Sequence, residues 1–411
     1  MKDVVWVFGV LLVMGFGMWS WRMPAVGRLD LGARLAIAFA VGCVVLAVLM
    51  FGFTLVHVPF TRASLLIAMA LFLWRTGTLA CPRARGDRQE CLSSTAILAL
   101  TTYGILTARE TCADLIYFWG PKGQRFYLAE KIDIGFLAFP HYRLMHPDYP
   151  PLLPLVYAFA SSVAHGFSWW GALFTMLILL AATALAFRGL AREALGDERA
   201  ALYATLLAAL LAYGYARSMV AGAGEPMLLL FETIAIAALT FRDDGEVLAA
   251  IALAGAAWTK VEGAAFVAIV VVAYALTRRR VVRAALAAIP AAALVLSWIA
   301  FAKAHKFLDQ YGRVHEPMHF EALGTIAAVT VREAGYGAFY LPWLAGGVPF
   351  AFAKNWRRAA LPLLVFAGLI ASCVYFYLHG NAPVWWIKSS AERVLLSALM
   401  TLLVAAAAAS E

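Results

Sequence analysis

Thr111–Pro154 reads TCADLIYFWGPKGQRFYLAEKIDIGFLAFPHYRLMHPDYPPLLP. It is charged and aromatic, and it lies between apolar segments long enough to cross a bilayer. Connections in compact proteins seldom run to roughly forty residues unless they carry function or form a lid. An acid, Asp114, stands close behind the end of one apolar segment, and a proline pair, Pro150-Pro151, stands just before the next. The pattern points to an active site built on a membrane surface.

The flanking sequence sets the fold class. Hydrophobic residues make up 64% of the chain and charged residues 14%, whereas a soluble domain is about half apolar and about a quarter charged. The apolar residues come in long continuous runs, not in ten-residue alternation, so the spans are helices and not barrel strands. An all-α polytopic membrane protein follows. By the length rule there are about thirteen such runs, near 4–20, 35–55, 61–80, 93–108, 168–187, 200–216, 226–241, 247–258, 263–277, 284–304, 337–353, 360–378 and 391–409. The run 247–258 is short for a perpendicular span and reads as a half-helix or a kinked pair with its neighbour.

The net charge of +9 belongs to short loops between apolar runs, where the positive-inside rule expects it, and not to a nucleic-acid surface. Five groups stand out: Arg22, Arg28 and Arg34; Arg83, Arg85 and Arg88; Arg188, Arg192 and Arg199; Arg278, Arg279, Arg280 and Arg283; and Lys354, Arg357 and Arg358. All five share one side only if residues 151–165 do not cross the membrane. That stretch is therefore expected to lie against the outer surface or dip into it. The loop 109–150 then faces the extracytoplasmic side, together with 217–225, the turn 258–263, the loop 303–336 and the stretch 379–393. The C-terminus is cytoplasmic, and Met1 to Trp21 reads as a retained first span.

Cys43, Cys81, Cys91, Cys112 and Cys373 form no C-x-x-C pair, which argues against a zinc or disulfide framework. No repeat of fixed period is visible, which weighs against an inverted-repeat transporter. The first three helices, to about residue 92, read as an accessory unit, because their outward turns carry almost no polar chemistry. Residues 93–411 read as the core, with 109–165 as its outer loop and juxtamembrane helices.

The residues that carry chemistry appear in a fixed order. They are Asp114; the Trp119-x-x-Lys122 step; Asp148-Tyr149-Pro150-Pro151-Leu152; Glu225-Pro226 opening a later helix; the Lys260-x-Glu262-Gly263 turn; and Arg393 opening the last helix. In this order they resemble the GT-C glycosyltransferases, membrane enzymes that use lipid-phosphate sugars. The nearest branch is that of the bacterial relatives of protein O-mannosyltransferases and of the lipid A aminoarabinose transferase. The likeness covers roughly residues 93–411.

The resemblance implies a GT-C-like core in a bacterial inner membrane. Asp114 would be the general base, and Arg393, Lys260 and Lys388 would bind the donor phosphate. Asp148, Tyr149, His146, Arg143, Glu225, Trp119, Lys122 and Glu262 would position substrate. Asp114 is flanked by Ala113 and Leu115, so the paired acids of some members are absent and metal-independent chemistry is the expectation. The implied partners are a polyprenyl-phosphate sugar and a lipid, glycan or protein acceptor.

Each residue also has an ordinary reading. Asp is a favoured N-cap, so Asp114 could merely cap the helix Leu115–Arg125, a role that can coexist with the functional one. Asp148 could pair with Arg143 or cap the helix that follows, and His146 could be a hydrogen-bonding neighbour. Arg393 could snorkel to any anionic headgroup, Lys260 and Glu262 could close their turn as a pair, and Glu225 could cap its helix. The aromatics around Lys122 and Arg125 suit an interfacial anchoring belt. A transporter or flippase of an amphipathic solute is the rival function. It predicts polar residues in the middle of helices and an internal repeat, whereas here the charges gather at one outer face and the helices are largely plain Ala, Leu and Val. A non-catalytic assembly subunit is the third.

Overall fold

The computed structural model describes residues 1–76, 95, 97–103, 113–213, 222–307, 317–340, 342–379 and 382–411. It is helical throughout, with no strand among the described residues. Among the described residues, seven helices are long and apolar enough to cross a membrane, against the thirteen runs read from the whole sequence. Four of them are α1 (Lys2–Arg22), α2 (Leu31–Leu55), α6 (Trp169–Leu195) and α10 (Val261–Arg278). The others are α11 (Val281–Ala304), the Asn355–Leu378 part of α13 (Pro342–Leu378), and α14 (Pro383–Ala409).

Between these lie shorter helices: α3 (Arg62–Thr76), α4 (Gly120–Ala129), α5 (Leu152–Ala164), α7 (Asp197–Tyr213), α8 (Glu225–Phe241), α9 (Glu246–Thr259) and α12 (Leu323–Tyr340). Arg83, Arg85 and Arg88, and the loop residues 308–316, fall outside the described residues.

Two parts of the chain depart from the sequence expectation. The loop 303–336 contains most of α12, whose Ile326 and Val329, with Ala322 just before the helix, pack with Cys373, Tyr377, Ile387, Ala391 and Leu395 in a small second core. Thr325, Thr330, Arg332 and Glu333 dilute the hydropathy that would have marked it as a helix. The last helix begins at Pro383, with proline at the tolerated N-terminal position. Arg393 therefore lies inside α14 and does not open it.

The ion pairs divide the bundle into two ends. At one end, Arg242 pairs with Glu193 and Asp244, and Arg192 with Asp197. Arg280 and Arg283 pair there with Glu246, and Arg358 with the terminal Glu411. Asp30, which caps α2 through the Ala33 amide, belongs to this end, because Ala33 packs on Gly189 near the end of α6. At the opposite end lie Asp114, Glu225, Lys260 and Arg393.

α5 explains how the chain keeps this division. Tyr149, just before it, packs on Trp119, while His165, just after it, contacts Arg62. Both ends of α5 are thus at the Asp114 end of the bundle. Thirteen residues give a helix of about 20 Å, short of the roughly 30 Å hydrocarbon core. The helix is nonetheless not spread on a surface: Leu152 to Val163 are all buried. Trp6 of α1 donates its indole N–H to Ser161, and Tyr157 packs on Gly123 of α4. Apolar residues from Trp6 to Ala408 form one continuous core, so α1 and α2 pack into the same body as the later helices.

Candidate functional site

Asp114 precedes a single turn of π-helix, Leu115–Trp119, and makes no capping hydrogen bond. Its carboxylate instead accepts a hydrogen bond from Nη1 of Arg393 at 2.6 Å. Arg393 Nε lies 3.0 Å from Oε1 of Glu225, and the same oxygen accepts from Lys260 Nζ at 2.9 Å. Glu262 lies 3.4 Å from Lys260 on its other side. Five ionisable groups from four separate segments therefore form one chain of contacts, with three carboxylates against two cations.

Local sequence explains the convergence. Lys260 is extended, at φ −149° and ψ 162°, and breaks the helix between α9 and α10, so its side chain leaves the turn toward the start of α8. The loop before α8 comes close to the π-turn because it carries glycines. A Cβ on Gly222, whose φ is +114°, would lie 2.3 Å from the Leu115 side chain. A Cβ on Gly224 would lie 2.8 Å from the Trp119 ring and 3.1 Å from the Lys260 stem. Side chains at these positions would hold Glu225 away from Asp114's turn.

Burial and charge act on the cluster in opposite directions. Burial pushes the Asp114 carboxyl up; Arg393 and Lys260 pull it down, and Glu225 and Glu262 add to the rise, leaving it above the ordinary carboxylate value. Burial works against the charge on Lys260, but Glu225 and Glu262 outweigh it and hold the ammonium above the ordinary lysine value. The site therefore holds two fixed cations and a carboxylate whose proton affinity is raised, the property a general base needs.

A second niche adjoins the first across the Trp119 ring. Lys122 is buried, 5.4 Å from the Trp119 ring centroid and 5.7 Å from that of Tyr149. Its ammonium donates to the His146 carbonyl. His146 takes a left-handed conformation, φ 47°, and stacks on Tyr149 at 4.5 Å. The Asp148 carbonyl accepts from the Trp298 indole at 2.7 Å, which ties this turn to the end of α11. Lys122 thus serves as an internal strut and does not project to the surface.

Of the residues singled out from sequence, Asp114, Glu225, Lys260, Glu262 and Arg393 come together in the cluster, and Trp119, Lys122, His146, Asp148 and Tyr149 form the adjoining niche. Lys388 joins neither. It is exposed and lies five residues before Arg393 on α14, hence about 140° around the helix, so the fold does not bring it to the Arg393 contacts. The Arg143 side chain lies outside the described residues.

Two groups were not singled out. Glu232, buried in the middle of α8, meets the Ser397 hydroxyl one turn beyond Arg393. Tyr377 shares a 2.6 Å hydrogen bond with Ser390 beside the cluster. A lone carboxylate inside an apolar run was a sufficient signal for Glu232, whereas nothing in the sequence marked Tyr377. No group of three or more His, Cys, Asp or Glu side chains suited to a metal ion occurs among the described residues. No family model, curated protein or solved structure matches the chain.

Proposed function

We propose that this chain is an integral-membrane glycosyltransferase of the GT-C type, moving a sugar from a polyprenyl-phosphate donor to a hydroxyl acceptor. The observation that carries this reading is the convergence of Asp114, Glu225, Lys260, Glu262 and Arg393 at one end of a helical bundle. A base and two cations within one contact chain are what displacement at a phosphate-linked anomeric carbon requires.

In the proposed step, Asp114 takes the proton of the acceptor hydroxyl and the oxygen attacks the anomeric carbon. The bond from that carbon to the phosphate oxygen breaks, and the electron pair leaves on the phosphate, which Arg393 and Lys260 hold. One displacement inverts the anomeric centre. The arginine-rich opposite end supports a cytoplasmic assignment for that end by the positive-inside rule. The site then faces outward from a bacterial inner membrane, and the thirteen-span count remains part of the same proposal.

Asp114→Asn is expected to abolish sugar transfer in membranes supplied with the lipid donor. Arg393→Ala is expected to raise the donor KM by about tenfold or more, the scale of one lost charge-assisted contact. Full transfer by Asp114→Asn overturns the assignment of the base. One observation favours the rival transporter or flippase: Glu232 is the mid-helix carboxylate that such a protein would need. A vesicle assay that scores covalent transfer against translocation separates the two.

A further inference from the structure

We infer that Asp114 and Glu225 occupy the anion seats of Arg393 and Lys260 when no donor is present, so that the arriving donor phosphate displaces Asp114 from Arg393 and thereby frees the base. The inference rests on the proposed function and adds an order to it, with donor first and acceptor second.

The geometry supplies the argument. Oε1 of Glu225 receives both Lys260, at 2.9 Å, and Arg393, at 3.0 Å, as one phosphate oxygen would. Asp114 holds the outer nitrogen of the same guanidinium at 2.6 Å. Side chains at this contact are mostly sequestered, Arg393 being 18% and Asp114 14% exposed. A further anion added beside three carboxylates, with no carboxylate giving way, would be poorly compensated in such a place.

Exchange avoids that cost: the guanidinium swaps a carboxylate for a phosphate and stays paired. The swap also changes Asp114. Losing the cation that draws its proton affinity down, and gaining a neighbouring anion, makes it a stronger base at the moment an acceptor is needed. A site holding only acceptor keeps its base paired with Arg393 until the donor arrives.

The test is equilibrium binding of farnesyl phosphate, a sugar-free prenyl phosphate, to the full-length protein in nanodiscs. Because Asp114 competes with the phosphate for Arg393, Asp114→Asn is expected to bind it about 5-fold tighter than the unaltered protein, the scale of one partly screened ion pair. Asp114→Ser is expected to shift in the same direction, and thermal unfolding of each variant establishes that it is folded. Arg393→Ala is expected to lose most of the binding.

Binding that is unchanged or weaker in both Asp114 variants overturns the inference while leaving the phosphate seat intact. If neither the unaltered protein nor the variants bind the probe, the donor-phosphate reading itself falls and the inference falls with it. Tighter binding is the discriminating sign, because a merely structural Asp114 would weaken the site when replaced.

Discussion

Lys122 is 2% exposed, and burial pulls its ammonium from the ordinary 10.5 down to about 7, with Asp148 pulling the other way. Between those two values the unfolded chain holds a proton that the folded protein releases, so stability rises with pH across that window and levels off above it. The expected outcome is a thermal midpoint in detergent that climbs from pH 7 toward pH 10, with the slope reduced in Lys122→Met. At this scale much was legible. Lys260 and Glu262 are conspicuous as ionisable residues between apolar runs, whereas Asp114, Glu225 and Arg393 stand out by the order of motifs that carries the GT-C resemblance. Their partners were not legible, because a pairing such as Arg393 with Asp114 crosses 279 positions of sequence. The capping alternative for Asp114, the weaker reading of the sequence, is decided only by where the side chain goes. Glu232 is equally legible as a lone carboxylate inside an apolar run, though no loop or turn sets it apart.

Among the elements, the π-turn and the glycine loop act together. The extra residue of a π-turn re-aims the side chains that flank it, and here the turn separates Asp114, which joins the cluster, from Trp119, which walls it. The Ala-Gly-Ala-Gly stretch before α8 was legible as a loop, but its reason was not, since that reason is the 2.8 Å approach of Trp119 to the missing Cβ of Gly224. Gly224→Val is expected to displace the Lys260 stem and the indole, destabilising the protein by about 1–3 kcal/mol as an overpacked contact does. It should also weaken farnesyl phosphate binding, and thermal unfolding with the same binding assay reads both effects. Helix existence was read well from apolar runs and helix limits less well. α12 escaped because its buried stripe is narrow, and α14 begins ten residues before Arg393 because a proline and two tryptophans look like a loop in a hydropathy profile.

In the whole molecule, the two bands of ion pairs mark two ends, one dominated by arginine and one by the candidate site. Single cysteines at Lys131 and at His165, in a background lacking the native cysteines, are expected to label from the same side of sealed vesicles. A cysteine at Arg279 should label from the opposite side. Labelling of 131 and 165 from opposite sides would invert every later helix and remove the basis for the outward-facing site. The charge pattern allowed this reading of residues 151–165, but it could not tell that the segment is swallowed by the core. The short helix α5 is consequently a matter of parity. An insertion that lengthened it by two turns would bring it to spanning length, adding a crossing and turning everything beyond it inside out. The arginine loops would resist that inversion, and the burial of Leu152 to Val163 leaves the segment no lipid face to offer. On the proposed topology, a helix that returns to the end it left preserves the compartment of every residue that follows it.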